Sequence, residues 1–223
     1  MDLNEKINKI KMKILNLNEF EKNKLLEKKK ERKRFFTSDL HFDDDRLNLY
    51  GRDLMFKNSK EVDEYIIQKW NDNINDEDLV IVVGDVSMTK KGLDNLKKLN
   101  GEKWLVKGNY DKSVENGGTA KYEISDEILS EYFTKIVDEL EIEIDGEKIY
   151  INHFPTNRKP QMMNIIGHIH GTWKVKRNMI NVGVDAWHFT PVSEDLIKFQ
   201  INGIRNHYDE NVFMDEIKIK DKK

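Results

Sequence analysis

The chain has no cysteine. That excludes a disulfide framework, a thiolate metal site and a cysteine nucleophile. Long apolar runs are missing too: the strongest is Leu79-Val80-Ile81-Val82-Val83, far short of the roughly 20 residues a membrane-crossing helix needs. The N-terminus carries neither the apolar stretch nor the small-residue cleavage site of a secretory signal. A cytoplasmic protein with no membrane partner is the expectation. There is no Pro/Gly-rich linker, low-complexity segment or internal repeat, and no serine-nucleophile motif, P-loop or dinucleotide fingerprint.

What is present is an ordinary core with a heavily solvated surface: 223 residues, 38% hydrophobic and 35% charged. The net charge of -3 is uneven. Residues 1–34 hold twelve Lys/Arg against six Asp/Glu, so that segment carries +6 and the remainder -9. A basic arm on an acidic body does not favour nucleic acid as the partner of the whole chain, although the arm could touch phosphates.

Residues 1–34 contain no Gly or Pro and predict a helical extension. Leu3, Ile7, Ile10, Ile14 and Leu17 trace the seam of a coiled coil or docked amphipathic helix until Glu21 and Lys24 interrupt it. Such a helix packs on its own domain or forms a homodimer with a twin chain. From Phe35 the pattern becomes short apolar strands alternating with helices. Asn58 and Glu61 resemble a capping box, with Val62, Tyr65, Ile66 and Trp70 on one helical face. Leu79–Val83 reads as a buried strand ending at Gly84-Asp85. A helix over Lys90–Leu99, a strand at Trp104-Leu105-Val106 and a helix around Asp126–Phe133 follow. Asp145-Gly146 joins strands Glu141–Ile144 and Glu147–Asn152 as a hairpin. Ile165-Ile166, Trp173–Lys176, Met179–Val182 and Asp195–Gln200 complete the predicted strands. Two packed sheets with helices outside are the expected architecture. The expected domains are a basic helical extension (1–34), a core (35–205) and a polar tail (206–223).

The chemistry gathers just after the strands: Asp39 and His41, Asp85, Asn109, His153, then His168 and His170 within Gly167-His168-Ile169-His170-Gly171. Strand-to-loop junctions are where α/β folds keep ligand-binding residues. The two glycines are expected to take positive φ or allow close backbone approach. Seven side chains of mixed His, Asp and Asn character exceed one tetrahedral ion. They suit two divalent ions with a bridging carboxylate, a pair that makes hydroxide from water near neutral pH and clamps an in-line displacement at phosphorus. Imidazoles favour Mn, Fe or Zn over Mg or Ca.

The order Asp-x-His, Gly-Asp, Gly-Asn-x-Asp, His, Gly-His-x-His is similar to that of the calcineurin-like metallophosphoesterases, across residues 35 to about 200. The ending Asn181–Trp187 with Pro191-Val192-Ser193 resembles a small bacterial and bacteriophage branch. The resemblance implies a four-layer αββα sandwich of two central β-sheets flanked by helices. It implies that Asp39, His41 and His170 bind a first metal and that Asp85 bridges. Asn109, His153 and His168 would bind a second, Mn2+ first in expectation, with Fe or Zn as alternatives. Asn109, Tyr110 and Asp111 would stand at the catalytic positions.

Two departures stand out. Family members usually carry His where this chain has Tyr110, and that His protonates the leaving group or binds phosphate. A phenol, with a pKa of about 10, is a mediocre proton donor at neutral pH. Asp111 loses the His it would orient. Branch members also often read His-Phe-Gly-His where this chain has His41-Phe42-Asp43-Asp44, so acid replaces an imidazole. Arg52 and Arg158 are candidate contacts for substrate phosphate, and His188 a stand-in acid if its loop covers the site. The expected function is a metal-dependent phosphoesterase that hydrolyses a phosphodiester or phosphomonoester, a small phosphate ester or nucleotide, by in-line attack of a metal-bound hydroxide. The alternative is a catalytically weak or inactive scaffold that binds a partner through its N-terminal helix.

Overall fold

The computed structural model describes residues 32–176 and 178–207. The expected helix and basic arm of residues 1–34 lie almost wholly outside the described residues, as does the tail beyond His207. The described residues from Lys33 onward fall in one compact unit.

Among the described residues, ten strands form two five-stranded sheets. The first contains β1 (Arg34–Thr37), β2 (Leu79–Val82), β3 (Glu102–Val106), β4 (Lys135–Val137) and β10 (Val192–Ser193). Their order is β10-β1-β2-β3-β4, parallel except for β10. The second contains β5 (Leu140–Ile144), β6 (Glu147–Ile151), β7 (Met163–Ile166), β8 (Val175–Lys176) and β9 (Met179–Asn181). Here β6, β7 and β9 run parallel, with β5 and β8 antiparallel at the edges.

The two-residue period of a strand explains the layering. Along β2, Leu79, Ile81 and Val83 belong to the core that also holds Ile149, Ile151, Ile165 and Ile180 of the second sheet. Val80 and Val82 face the opposite way, with Phe35 and Leu105, toward helix α1 (Ser59–Asn71) and its Val62, Ile66 and Trp70. Both faces of the first sheet are therefore covered, which is why its central strand β2 reads as an unbroken apolar run. The result is the expected α/β sandwich: two central sheets with flanking helices.

Asn58 caps α1 by accepting the Glu61 N–H at 3.0 Å, as the capping pattern predicts. The helix predicted over Lys90–Leu99 is shorter, α2 (Lys90–Leu93), and continues as a 3-10 turn over Asp94–Lys98. The helix expected to reach Phe133 is likewise one turn, α3 (Asp126–Leu129).

One element reverses the expectation. Asp195–Gln200, read as a strand, belongs to helix α4 (Glu194–His207). The alternating Ile197, Phe199 and Ile201 mimic a strand. In the helix Ile197 and Ile201 are buried, while Phe199 is 68% exposed. Ser193 Oγ accepts the Leu196 N–H at 3.2 Å, starting the helix as a capping serine does.

Candidate metal centre

The seven expected ligands leave the C-terminal ends of parallel strands. Asp39 and His41 follow β1, Asp85 follows β2, Asn109 follows β3, His153 follows β6, and His168 and His170 follow β7. Loop hydrogen bonds bring the two sheets' edges together there. Ser38 N donates to Val182 O and Val184 N to Ser38 O, both at 3.0 Å. The Asp39 carboxylate accepts the His168 N–H at 3.0 Å, so a residue of one sheet's loop fixes a histidine of the other's.

Two groups result. Asp39, His41 and His170 offer donor atoms within 4.8 Å of one another, and Asp85, His153 and His168 do the same. Asp85 stands between them, its Oδ2 3.7 Å from His41 Nε2 and 3.2 Å from His153 Nε2.

These residues fit divalent cations. Both ring nitrogens of His41, Nε2 of His153 and Oδ1 of Asn109 are buried without a hydrogen-bond partner. Buried polar atoms are almost always paired, so orphans concentrated in expected ligands mark places for a cation. The remaining imidazole nitrogens are oriented. His153 Nδ1 lies 2.8 Å from the Val83 carbonyl, which can only accept, so Nδ1 carries the hydrogen and Nε2 faces Asp85. His170 Nδ1 donates to Asp185 Oδ2 at 2.7 Å, the carboxylate–histidine pairing that fixes a metal-binding ring.

Backbone strain collects at the same place. Nine non-glycine described residues have positive φ, and five are expected ligands: Asp39 (57°), His41 (48°), Asp85 (57°), His168 (73°) and His170 (49°). Each such conformation costs about 1–3 kcal/mol and persists where surrounding contacts over-determine it. The expectation that the glycines around His168 and His170 would carry positive φ is thus corrected: the histidines themselves do. Gly167 serves close approach instead, since a Cβ there would stand 2.5 Å from Ser38 Oγ and 2.8 Å from Val83 O.

Burial and charge set the protonation. Burial pushes the Asp39 carboxyl up and the His41 imidazole down to about 3. Burial also opposes charge on His153, but the Asp85 carboxylate outweighs it and lifts that ring to about 9. Burial pushes Asp85 up, and His153 in turn brings it below the usual carboxylate range. His168 is lowered by burial and by His153.

Two further candidates from the sequence are placed behind the donor groups. Arg52 is 2% exposed and not free to meet a phosphate. Its Nε donates to Asp185 Oδ1 at 2.7 Å, Nη1 to Leu40 O at 3.0 Å and Nη2 to Asp39 O at 2.8 Å, so it clamps the ligand loops. Asp111 is buried and accepts the backbone N–H groups of Asp85 (2.7 Å), Gly108 (2.8 Å) and Val86 (3.0 Å). Saturated in this way, it positions Asp85, with burial raising it to about 6. Tyr110 lies at the site, its ring edge-on to His41 at 5.1 Å and its N–H on Asp85 Oδ1 at 2.9 Å. Arg158 is half-buried, and its guanidinium makes no hydrogen bond or ion pair among the described residues. His188 is exposed and in the left-handed region (φ 53°), without a ring contact to the site among the described residues.

Sequence reasoning missed Asp185, Tyr50 and Arg46. Asp185 was visible as a lone acid in the run Asn181–Trp187. Tyr50, stacked on His170 at 4.1 Å and on His41 at 4.9 Å, left no signal short of the fold.

No family model matches the chain. An uncharacterised protein of Methanocaldococcus jannaschii, MJ1445, is 29% identical over 180 residues, covering 74% of this chain and 89% of that protein. Among solved structures, the Aquifex aeolicus protein of unknown function AQ665 is similar with a TM-score of 0.59 and 26% identity, covering 76% of this chain and 99% of that one. The chain shares its fold with AQ665. An archaeal phosphodiesterase is also similar, at a TM-score of 0.39 and 18% identity, covering 68% of this chain and 82% of that one.

Proposed function

We propose that the chain is a divalent-metal-dependent phosphoesterase of the calcineurin-like type. The observation that carries this reading is a pair of three-residue donor groups with Asp85 between them and buried, unpaired ligand atoms in both. In this reading Asp39, His41 and His170 hold one ion, Asn109, His153 and His168 another, and Asp85 bridges. The His-rich donor set favours Mn2+, with Fe or Zn as alternatives. Two such ions supply water activation near neutral pH and neutralise charge on the phosphoryl oxygens.

The chain's own residues do the rest. Asp185 and the Val83 carbonyl hold His170 and His153 in the ligating tautomer. Arg52 and Asp111 fix the loops carrying Asp39 and Asp85. Tyr110 offers a phenol, a weak proton donor at neutral pH, so leaving groups stable as anions, such as aryl and nucleotide phosphates, are favoured over alkoxides. A leaving-group series in which rate is independent of leaving-group pKa would contradict this point. The scaffold reading rests on residues 1–34. The strained and unpaired donor set favours an enzyme over it.

The test is hydrolysis of bis(p-nitrophenyl) phosphate and p-nitrophenyl phosphate with Mn2+, beside Asp85→Ala. Turnover is expected to require metal. In the variant it should fall by more than the roughly 100-fold that losing an outer partner of a metal ligand costs. Absence of both turnover and metal uptake by the unaltered chain would overturn the proposal.

A further inference from the structure

Asp44 and Tyr110, two positions where the chain departs from the pattern it resembles, meet around one guanidinium. Arg46 donates from Nε to Asp44 Oδ1 and from Nη2 to Asp44 Oδ2, both at 2.9 Å, a bidentate fork. Its Nη1 donates to the Tyr110 hydroxyl at 3.2 Å and its Nη2 to the Tyr50 hydroxyl at 3.1 Å. Its guanidinium carbon lies 5.4 Å above the Tyr110 ring. Tyr110 in turn touches His41 edge-on, and Tyr50 stacks on His170. A permanent cation is thus held one aromatic ring away from each of two expected metal ligands.

The surroundings do not bury that cation. Asp44 is 3% exposed at its side chain, whereas the Arg46 side chain is 37% exposed. Of the two Nη1 hydrogens, one serves Tyr110 and the other has no acceptor among the described residues. A guanidinium whose fork is anchored on Asp44, and whose Nη1 keeps one N–H open, presents a single charge-assisted donor suited to a phosphate oxygen. Arg52, by contrast, has its donors committed to Asp185 and to backbone carbonyls.

We infer that Arg46 binds the substrate's phosphoryl oxygens and that this favours phosphomonoester dianions over diesters. The inference rests on the phosphoesterase reading above. Of the Arg46–Asp44 pair, the guanidinium is the partly exposed end and the carboxylate the buried one. The guanidinium charge interacts about twice as strongly with a dianion as with a monoanion at the same distance. Asp44 aims the guanidinium, and the two phenols, which lie between it and the histidine rings, hold it in place.

The experiment uses the full chain loaded with Mn2+. Wild type, Arg46→Gln and Arg46→Lys are titrated with inorganic phosphate by calorimetry and assayed on both p-nitrophenyl esters, with metal content and Tm recorded. Because Gln leaves Asp44 buried without its cation, the double variant Asp44→Asn/Arg46→Gln is measured alongside. In both Gln variants phosphate affinity is expected to weaken and KM for the monoester to rise by about 10- to 100-fold. A smaller rise is expected for the diester, kcat should move less than KM, metal content should hold, and Lys should restore part of the loss. Unchanged phosphate affinity and monoester KM in the Gln variants, with wild type active, would overturn the inference alone. Wild type that neither takes up Mn2+ nor hydrolyses either ester would overturn the phosphoesterase reading, and this inference with it.

Discussion

His153 keeps a proton up to about 9 because Asp85 faces it, yet a metal requires its Nε2 free. Metal binding must therefore expel that proton at pH 7, whereas His41, held near 3, is already neutral and releases none. Titrating Mn2+ into weakly buffered protein at pH 7 is expected to release at least one proton per chain, with affinity rising as pH approaches about 9. Affinity independent of pH over that range would contradict the assignment of His153. Gly108 offers a steric test of Asp85. A Cβ at Gly108 would collide with the Asp85 carboxylate and stand 2.7 Å from its backbone nitrogen. Gly108→Ala is expected to cost about 1–3 kcal/mol of stability, as overpacking does, and to weaken metal binding, read by denaturant melts and metal titration. A variant matching wild type in both would contradict that close packing. The grouping of the candidate ligands was legible because each is a chemically specific type shortly after a strand. Arg46 and Tyr50 were not, because they approach the histidines only through tertiary packing, and the burial of Arg52 was not, because sequence does not show which guanidinium is enclosed.

At the scale of elements, the strands and the Asp145-Gly146 hairpin were legible from apolar periodicity and turn chemistry. Helix α4 was not: a short amphipathic stretch beginning with alternating apolar residues satisfies both periods until the next turn is counted. Helix α1 carries a testable burden. Asp63, facing inward from it, is pushed up by burial to about 6 from 3.8. The unfolded chain ionises at lower pH than the folded one, so this group's contribution is fully present below pH 4 and is lost as pH rises through 6. Asp63→Asn is expected to gain about 1–2 kcal/mol above pH 7, with the gain vanishing near pH 4. Chemical denaturation at the two pH values checks this, and an equal effect at both would contradict it. The amide oxygen can still accept the Asp43 N–H that Asp63 now takes at 3.1 and 3.2 Å.

The whole molecule places its chemistry where two sheets end side by side, each contributing loops to both donor groups or to the clamps behind them. The inter-sheet core fixes those ends, and the strained residues Asp39, His41, Asp85, His168 and His170 are held by what surrounds them. No helix among the described residues is long and apolar enough to cross a membrane. The sandwich was legible in the sequence because alternating strand faces and ligand-bearing strand ends follow from local pattern. The contacts between sheets that join Asp39 to His168 were not, since they depend on how the sheets stack. The central claim is that this junction holds two divalent ions. Anomalous diffraction at the manganese edge from Mn2+-soaked crystals tests it most directly. Two peaks about 3.5–4 Å apart, one against Asp39, His41 and His170 and one against His153 and His168, with Asp85 between them, are predicted. A single peak, or none at these residues, would contradict it.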